Sequence, residues 1–427
     1  MSSSPGSTLP PEIWALVVDG LPDDASLRAL SLTSSTFTEL CQRRLFSSLT
    51  LHPQRGSHRA SYREVTVHLS AHPRLAAYIK TLKIYLRKPT VSVQLGGDEL
   101  AITLDALHWV LERLAQPDVA LERIKIRIPG EGSEWADWMH GSVQRLLEQA
   151  ARQNSVHHLS LKMIDYIPQS AIYRALWGCR SLNLMDTHVE GTVEHKLEIP
   201  AEDALVRKPA LRKLQLSGTN SLYELLLHPG VRRCASALVS LSIDGPGLPA
   251  GDHLVLGLQL AALCSETLEE LTVILFGSRV NEHETFDHDL PRLRTLKLAA
   301  NYEQLHEINH WVIPCAFAIL LQVSSRFPAL ANLHIYLGIS VDHRPLPPLA
   351  SHYVLSGHFK SLDNALQPYI ASEVEVKFAA KHHLSYTPES SGERREDLAQ
   401  HWVTFSQGLW AALPKSFASG LRLVQWD

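Results

Sequence analysis

The sequence predicts an α/β chain in two parts: a small bundle of three short helices, then a long array in which strands and return helices alternate to build a curved parallel sheet. Three observations predict it. Between residues 9 and 52, apolar residues recur three and four apart, as on one face of a helix. From Ile79 onward, an apolar-x-x-apolar-x-apolar triplet returns along the chain. Between triplets the apolar period lengthens from two to that of a helix.

The N-terminal stretch runs from Leu9 to His52. Ile13, Leu16 and Val17, then Leu27 and Leu30, then Phe37, Leu40 and Leu45 mark three helices, separated by the breakers Gly20-Leu21-Pro22 and Ser34-Ser35. Pro10-Pro11 before Glu12 suits a first helical turn, where a missing N–H costs nothing and a carboxylate meets the positive helix end. Asp23 or Asp24 can cap the second helix, and a residue from Thr33 to Thr36 the third. Helices this short cannot bury all their apolar residues against one another. A partner surface is implied.

The ordered set Leu9-Pro10-x-Glu12-Ile13, Leu21-Pro22, Leu27, Leu30, Phe37, Leu40 and Arg44-Leu45-Phe46-Ser47-Ser48-Leu49 resembles the F-box, over about the first 50 of 427 residues. The resemblance implies that Leu9, Pro10, Ile13, Leu16, Leu21, Pro22, Leu27 and Leu30 face the Skp adaptor subunit, and through it the cullin, of SCF-type (cullin-RING) ubiquitin ligases. Val17-Val18 replaces the Ile/Leu pair common in that family, a mild change.

Residues 53–78 read as a linker, with a turn at Pro53 to Ser57 and a short helix from Tyr62 to His72. The body, 79–427, carries the triplets. They are Ile79-Leu82-Ile84, Leu121-Ile124-Ile126, Val156-Leu159-Leu161, Cys179-Leu182-Leu184, Leu211-Leu214-Leu216, Leu238-Leu241-Ile243, Leu268-Leu271-Val273, Leu293-Leu296-Leu298 and Leu330-Leu333-Ile335. Weaker copies are Ala371-Val374-Val376 and Leu421-Val424-Trp426. The central residues of the first nine lie 23 to 42 residues apart. Each unit predicts one strand whose alternate side chains enter a shared core, so single units cannot stand alone. The array resembles degenerate leucine-rich repeats, whose periods run about 20–29 residues. Asn220 and Asn301 match the family's strand-end asparagine, whose amide would satisfy backbone groups where the chain leaves the strand.

Return helices are expected over Ala101 to Gln116, Ser142 to Gln153, His253 to Cys264, Ala316 to Phe327, Ser361 to Ile370 and Asp397 to Leu413, each with an apolar stripe. Arg87 to Asp98, Asp186 to Pro200, Asn281 to Asp289, Val341 to His358 and Ser385 to Asp397 read as inserted loops, the last as disordered.

Composition narrows function. The chain is 45% hydrophobic and 20% charged, with net charge −4, which disfavours a protein whose main affinity is for nucleic-acid phosphates but leaves room for local basic patches. Its five scattered cysteines contain no CxxC pair and suit reduced thiols in the cytoplasm or nucleus. Residues 1–8 form a Ser-rich tail without the features of a signal peptide, and no apolar run is long enough to span a membrane.

Motifs of catalysis are sparse. His306-Glu307-Ile308-Asn309-His310 spells HExxH, which on a helix would offer two imidazoles to zinc, but Pro314 follows closely and no third ligand stands at a metzincin spacing. The string reads as a turn of a repeat helix, with a zinc metalloprotease the remote alternative. Glu282-His283-Glu284 with Asp287-His288-Asp289 reads as a polar loop. No phosphate-binding loop, dinucleotide fingerprint or nucleophile elbow is present. Trp135, Trp138, Trp177, Trp311 and Trp402 would supply anchors if they lined the concave face. The expectation is a non-catalytic receptor without cofactor, binding an adaptor at one end and a protein substrate in the body. The alternative is a repeat scaffold with a protein partner and no ligase role.

Overall fold

The computed structural model describes residues 10–52, 60–86, 97–127, 142–143, 145–147, 149, 156–189, 211–218, 220–244, 252–275, 288–302, 312–322, 324–341, 357–384, 403, 406–407 and 409–425. Residues up to Arg180 form one compact unit and those from Ser181 a second. Both are α/β with parallel sheets.

The first unit opens on three helices, α1 (Pro11–Asp19), α2 (Asp24–Ser31) and α3 (Ser35–Leu45). Their starts follow the expected local chemistry. Pro11 sits in the first turn of α1, the Asp23 carboxylate accepts from the Ser26 N–H at 2.8 Å, and the Ser34 hydroxyl accepts from the Thr36 N–H at 3.3 Å. The chain then enters the sheet earlier than expected. Strand β1 (Ser48–His52) pairs with β3 (Thr81–Tyr85), so the last residues of the F-box-like stretch are already sheet. Between them, β2 (Ala60–Ser61) lies beside β1 and α4 (Tyr62–Ala71) starts on a capping box formed by Ser61 and Glu64. Strands β4 (Arg123–Arg127) and β5 (His158–Ile167) complete the order β2-β1-β3-β4-β5.

In the second unit the strands follow chain order: β6 (Ser181–Val189), β7 (Lys213–Gly218), β8 (Ser240–Asp244), β9 (Glu270–Leu275), β10 (Thr295–Tyr302), β11 (Asn332–Val341), β12 (Glu375–Leu384) and β13 (Arg422–Gln425). The register makes the triplets a continuous stack. Leu182, Leu214, Leu241, Leu271, Leu296 and Leu333 stand opposite one another from strand to strand, all fully buried. In the first unit Leu82, Ile124 and Leu159 do the same. Each such side chain contributes about 1.5–3 kcal/mol of burial.

A backbone device recurs where most strands begin. One carbonyl accepts two successive N–H groups of the next strand: Ser47 from Lys80 and Thr81, both at 2.9 Å, Lys80 from Glu122 and Arg123, and Glu122 from His157 and His158. In the second unit Arg212, Val239, Glu269 and Arg294 play this part. The register of one turn is thereby handed to the next.

Helices return between strands, at α5 (Gly97–Leu114), Asp252–Leu263, Val312–Leu321 and Gly357–Ala371, near the expected spans. Pro314 lies in the first turn of its helix, where no donor is lost. Helices Gln169–Gly178, Asn220–Leu227, Arg232–Ala235 and Pro414–Ala418 were not expected. The last is held by buried Asp363, whose carboxylate accepts from the Ser416 N–H at 2.8 Å, the Ser416 hydroxyl at 2.6 Å and the Lys415 N–H at 3.3 Å.

Two expected triplets are corrected by the register. Val376 and Phe378 pair with Leu333 and Ile335, so the inward residues of β12 lie two places beyond Val374, and Glu373 occupies the usual first apolar position with φ of 64°. In β13 the inward pair is Leu421 and Leu423, while Val424 is 44% exposed. The expected loop at Asp186 is strand as far as Val189, with a register shift around Asp186 itself. Asn220 follows β7 and opens a helix, but Asn301 lies within β10 opposite Gly338, not past a strand end. The strings at 306–310 and 282–287, the segment 385–397 and Trp135, Trp138, Trp311 and Trp402 fall outside the described residues.

Gly257 shows how closely helix and sheet approach in the second unit. A Cβ there would lie 2.6 Å from Ile243 Cγ2 on β8. Gly257→Ala is therefore expected to lower the urea midpoint, since overpacking costs about 1–3 kcal/mol against a helix-propensity gain of about 1 kcal/mol. A raised midpoint would show that Ile243 yields freely.

Candidate functional site

The three N-terminal helices have a core of their own. Val18, Leu27 and Cys41 are buried, with Leu21, Leu30, Phe37, Leu40 and Leu45 packed around them. Trp14 meets Phe37 edge-on at 4.9 Å between ring centroids. Val17 and Val18 part company here: Val18 turns inward and Val17 is 44% exposed.

Arg44 ties the bundle together. Its Nη1 donates to the Val18 carbonyl, which also accepts the Leu21 N–H at 3.2 Å, and its Nη2 donates to the Leu21 carbonyl at 2.6 Å, so a cation sits at the negative C-terminal end of α1. The Thr38 hydroxyl donates to the Ser31 carbonyl at 2.8 Å and bridges α3 to the end of α2. The bundle is also joined to the rest of the first unit: Arg43 lies over the Tyr78 ring at 5.8 Å, Phe46 lies 5.9 Å from the His68 ring, and Ser47 starts the sheet ladder. An open depression of about 580 Å³ lies between α1 and α3, bordered by Ala15, Val18, Asp19, Leu40, Arg43 and Arg44.

One outward face of α1, between exposed Glu12 and Asp19, is apolar. Ile13 is 41% exposed and Leu16 67%; with Val17 they occupy helical positions three and four apart, which share one face. Pro10 and Pro22, at its two ends, are exposed as well. The sequence-derived docking set therefore divides. Pro10, Ile13, Leu16 and Pro22 are available; Leu21 and Leu30 are partly buried in the bundle; Leu27, at 2% exposure, is bundle core and not contact surface. Leu9 is outside the described residues. Leu32, just past α2 and 88% exposed, was missed, because no periodic partner marks it in the sequence.

No family model matches the chain, and no curated protein does.

Among the described residues no group of three or more His, Cys, Asp or Glu is arranged to hold a metal. Burial pushes the Cys179, Cys234 and Cys264 thiols up to about 12, so each stays protonated and a poor nucleophile near neutrality. Two ion pairs stand on the outward side of the second unit's strands: Glu270 accepts from Lys297 and from Ser240, and Glu375 pairs with Lys377 at 3.0 Å. The Lys297 ammonium is the main cause holding the Glu270 carboxyl below its usual range, against a smaller opposing effect of burial.

Arg44→Ala removes both bonds and leaves the Leu21 carbonyl without its side-chain donor, and is expected to destabilise the bundle by about 1–3 kcal/mol, with faster hydrogen exchange at the Gly20 and Leu21 amides. Arg44→Lys rescues little, because one ammonium cannot reproduce the fork; full rescue would refute this role. Because the folded carboxyl of Glu270 titrates below its unfolded value, its stabilisation is complete above the ordinary Glu pKa of about 4.3 and disappears as pH falls through the depressed folded value. Glu270→Gln should flatten the acid limb of the stability profile there; an unaltered limb would show that the ion pair contributes nothing.

Proposed function

We propose that the chain is the substrate-receptor subunit of an SCF-type ubiquitin ligase, docking a Skp adaptor through its three-helix, F-box-like module and holding a protein substrate on its leucine-rich-repeat-like body. The apolar face of α1 carries this reading: Ile13, Leu16 and Val17 stay in water although the bundle below them is satisfied. An exposed apolar face rimmed by polar residues marks an interaction surface, and an amphipathic helix laid in a groove is a common way to fill one. Docking would use Pro10, Ile13, Leu16, Val17 and Pro22, with Leu27 supporting from beneath.

Catalysis would belong to other subunits. The chain's part would be proximity: a substrate held on the body and a conjugating enzyme carried by the cullin are brought to high effective concentration of one another. A scaffold with the same body and no ligase role differs in one respect, that α1 would meet no adaptor.

The test is co-purification with a Skp adaptor and measurement of its affinity. Leu16→Asp is expected to weaken adaptor binding about 100-fold or more, since a carboxylate would enter an apolar groove, while leaving the thermal midpoint unchanged. Leu16 is a better probe than Leu21, whose packing in the bundle would mix folding with binding. Undiminished affinity of a folded Leu16→Asp chain, or no affinity in the parent chain, would sink the ligase reading.

A further inference from the structure

The outward face of β3, β4 and β5 carries a concentration of positive charge that the fold does not use. Leu82, Ile84, Ile124, Ile126, Leu159 and Leu161 point into the core. The alternate residues Lys83, Arg123, Lys125, Arg127 and Lys162 therefore share the opposite face. The register brings them side by side: Lys83 stands opposite Lys125, and Arg127 opposite Lys162. The remaining positions of this face are Thr81, Tyr85, His158 and Ser160, so no carboxylate is interleaved. Arg123, Lys125 and Arg127 are exposed, and Lys83 and Lys162 half-buried.

None of these five cations forms an ion pair with an acid among the described residues. The nearest acids in sequence among the described residues are placed elsewhere. Glu122 precedes β4 and pairs with Lys80 at 3.2 Å, and Asp165 lies past the last residue that β5 shares with β4. Like charges directly across a ladder are destabilising. The second unit also sets Lys377 opposite Arg422, but there Glu375 pairs with Lys377, whereas the face of β3, β4 and β5 has no carboxylate to offset its two like-charge pairs.

We propose that this face binds an extended, Asp- or Glu-rich segment of a protein partner. The inference rests on the reading of the body as the part that holds a protein, and it gives the chemical class of what is held. An extended chain sets alternate side chains about 6.7 Å apart, the same interval that separates Arg123, Lys125 and Arg127 along β4. A segment with carboxylates at every second position would thus meet one cation per carboxylate, and Lys83 and Lys162 would flank it from the neighbouring strands. A nucleic acid fits less well. The chain carries net charge −4, and three strands span only about 10 Å, whereas DNA-binding surfaces commonly contact about 6–10 phosphates.

The experiment is fluorescence anisotropy on the full chain with a short fluorescein-labelled peptide of alternating glutamate and serine, its glutamine counterpart and a short DNA duplex. The glutamate peptide is expected to bind, more weakly as salt rises, and the glutamine peptide not to bind. Lys83→Glu with Lys125→Glu should lower affinity about tenfold or more. Arg127→Ser, a milder change at an exposed position, should lower it severalfold with an unchanged thermal midpoint, and decides the matter if the double variant misfolds. Absent peptide binding, affinity indifferent to these substitutions, or tighter binding of the duplex would overturn the proposal. The Leu16→Asp chain should bind the peptide like the parent, so loss of the adaptor reading and loss of this one are read separately.

Discussion

A parallel strand cannot close its own hydrogen bonds, and this protein meets that constraint one turn at a time. The carbonyl ahead of a strand accepts two amides from the following one, and the next carbonyl does the same, from Ser47 to Lys80 to Glu122 in the first unit and from Arg212 through Val239, Glu269 and Arg294 in the second. Once a turn is set, the following strand has one favourable register, because a slip of one residue would turn every inward leucine to water. The leucine stack follows from the ladder as much as it stabilises it. Neither is complete in a single turn, so stability is a property of neighbours.

The N-terminal bundle solves a different problem. It has too few residues to bury its apolar side chains completely, and it divides them instead: Val18, Leu27 and Cys41 inside, Ile13, Leu16 and Val17 outside. Arg44 makes the division hold by fastening the end of α1 to α3. Since α3 leads through Ser47 into β1 with no slack, the outward face of α1 is presented by a bundle anchored to the first unit's sheet.

Much of this was legible in the sequence, for physical reasons. The triplets from Ile79 to Ile335 could be read because alternation and helical period differ sharply, and nine strands appear where they predict them. Strand β2, of two residues, is too short to show alternation, whereas β1 carries the same triplet, Phe46-Leu49-Leu51, in register with Leu82 and Ile84, and was hidden because it falls in the stretch that matches the F-box pattern. At β12 the pattern misled by two residues, since Val374 mimics an anchor while the backbone turns at Glu373, a non-glycine residue with positive φ. In the bundle, helix positions and caps could be read, but not the direction each apolar residue faces. Leu27 and Leu16 look alike as letters, and only packing separates a core residue from a contact residue. The clamp by Arg44 spans 26 residues to Val18 and leaves no periodic trace. The basic face was invisible for another reason: Lys83, Arg127 and Lys162 are far apart in the chain and become neighbours only through register.

The ends of the ladder carry a consequence of their own. β2 offers two residues and β13 four, against ten in β12, and β13 pairs with β12 only from Lys377 to Ala380. Brief terminal strands give a foreign strand little backbone to copy, which is how sheets avoid joining edge to edge. Removing β13 would uncover the backbone of β12 from Lys377 to Ala380, so even limited trimming behind Ala418 would take the blunt cover off a longer strand and give a foreign strand more to copy.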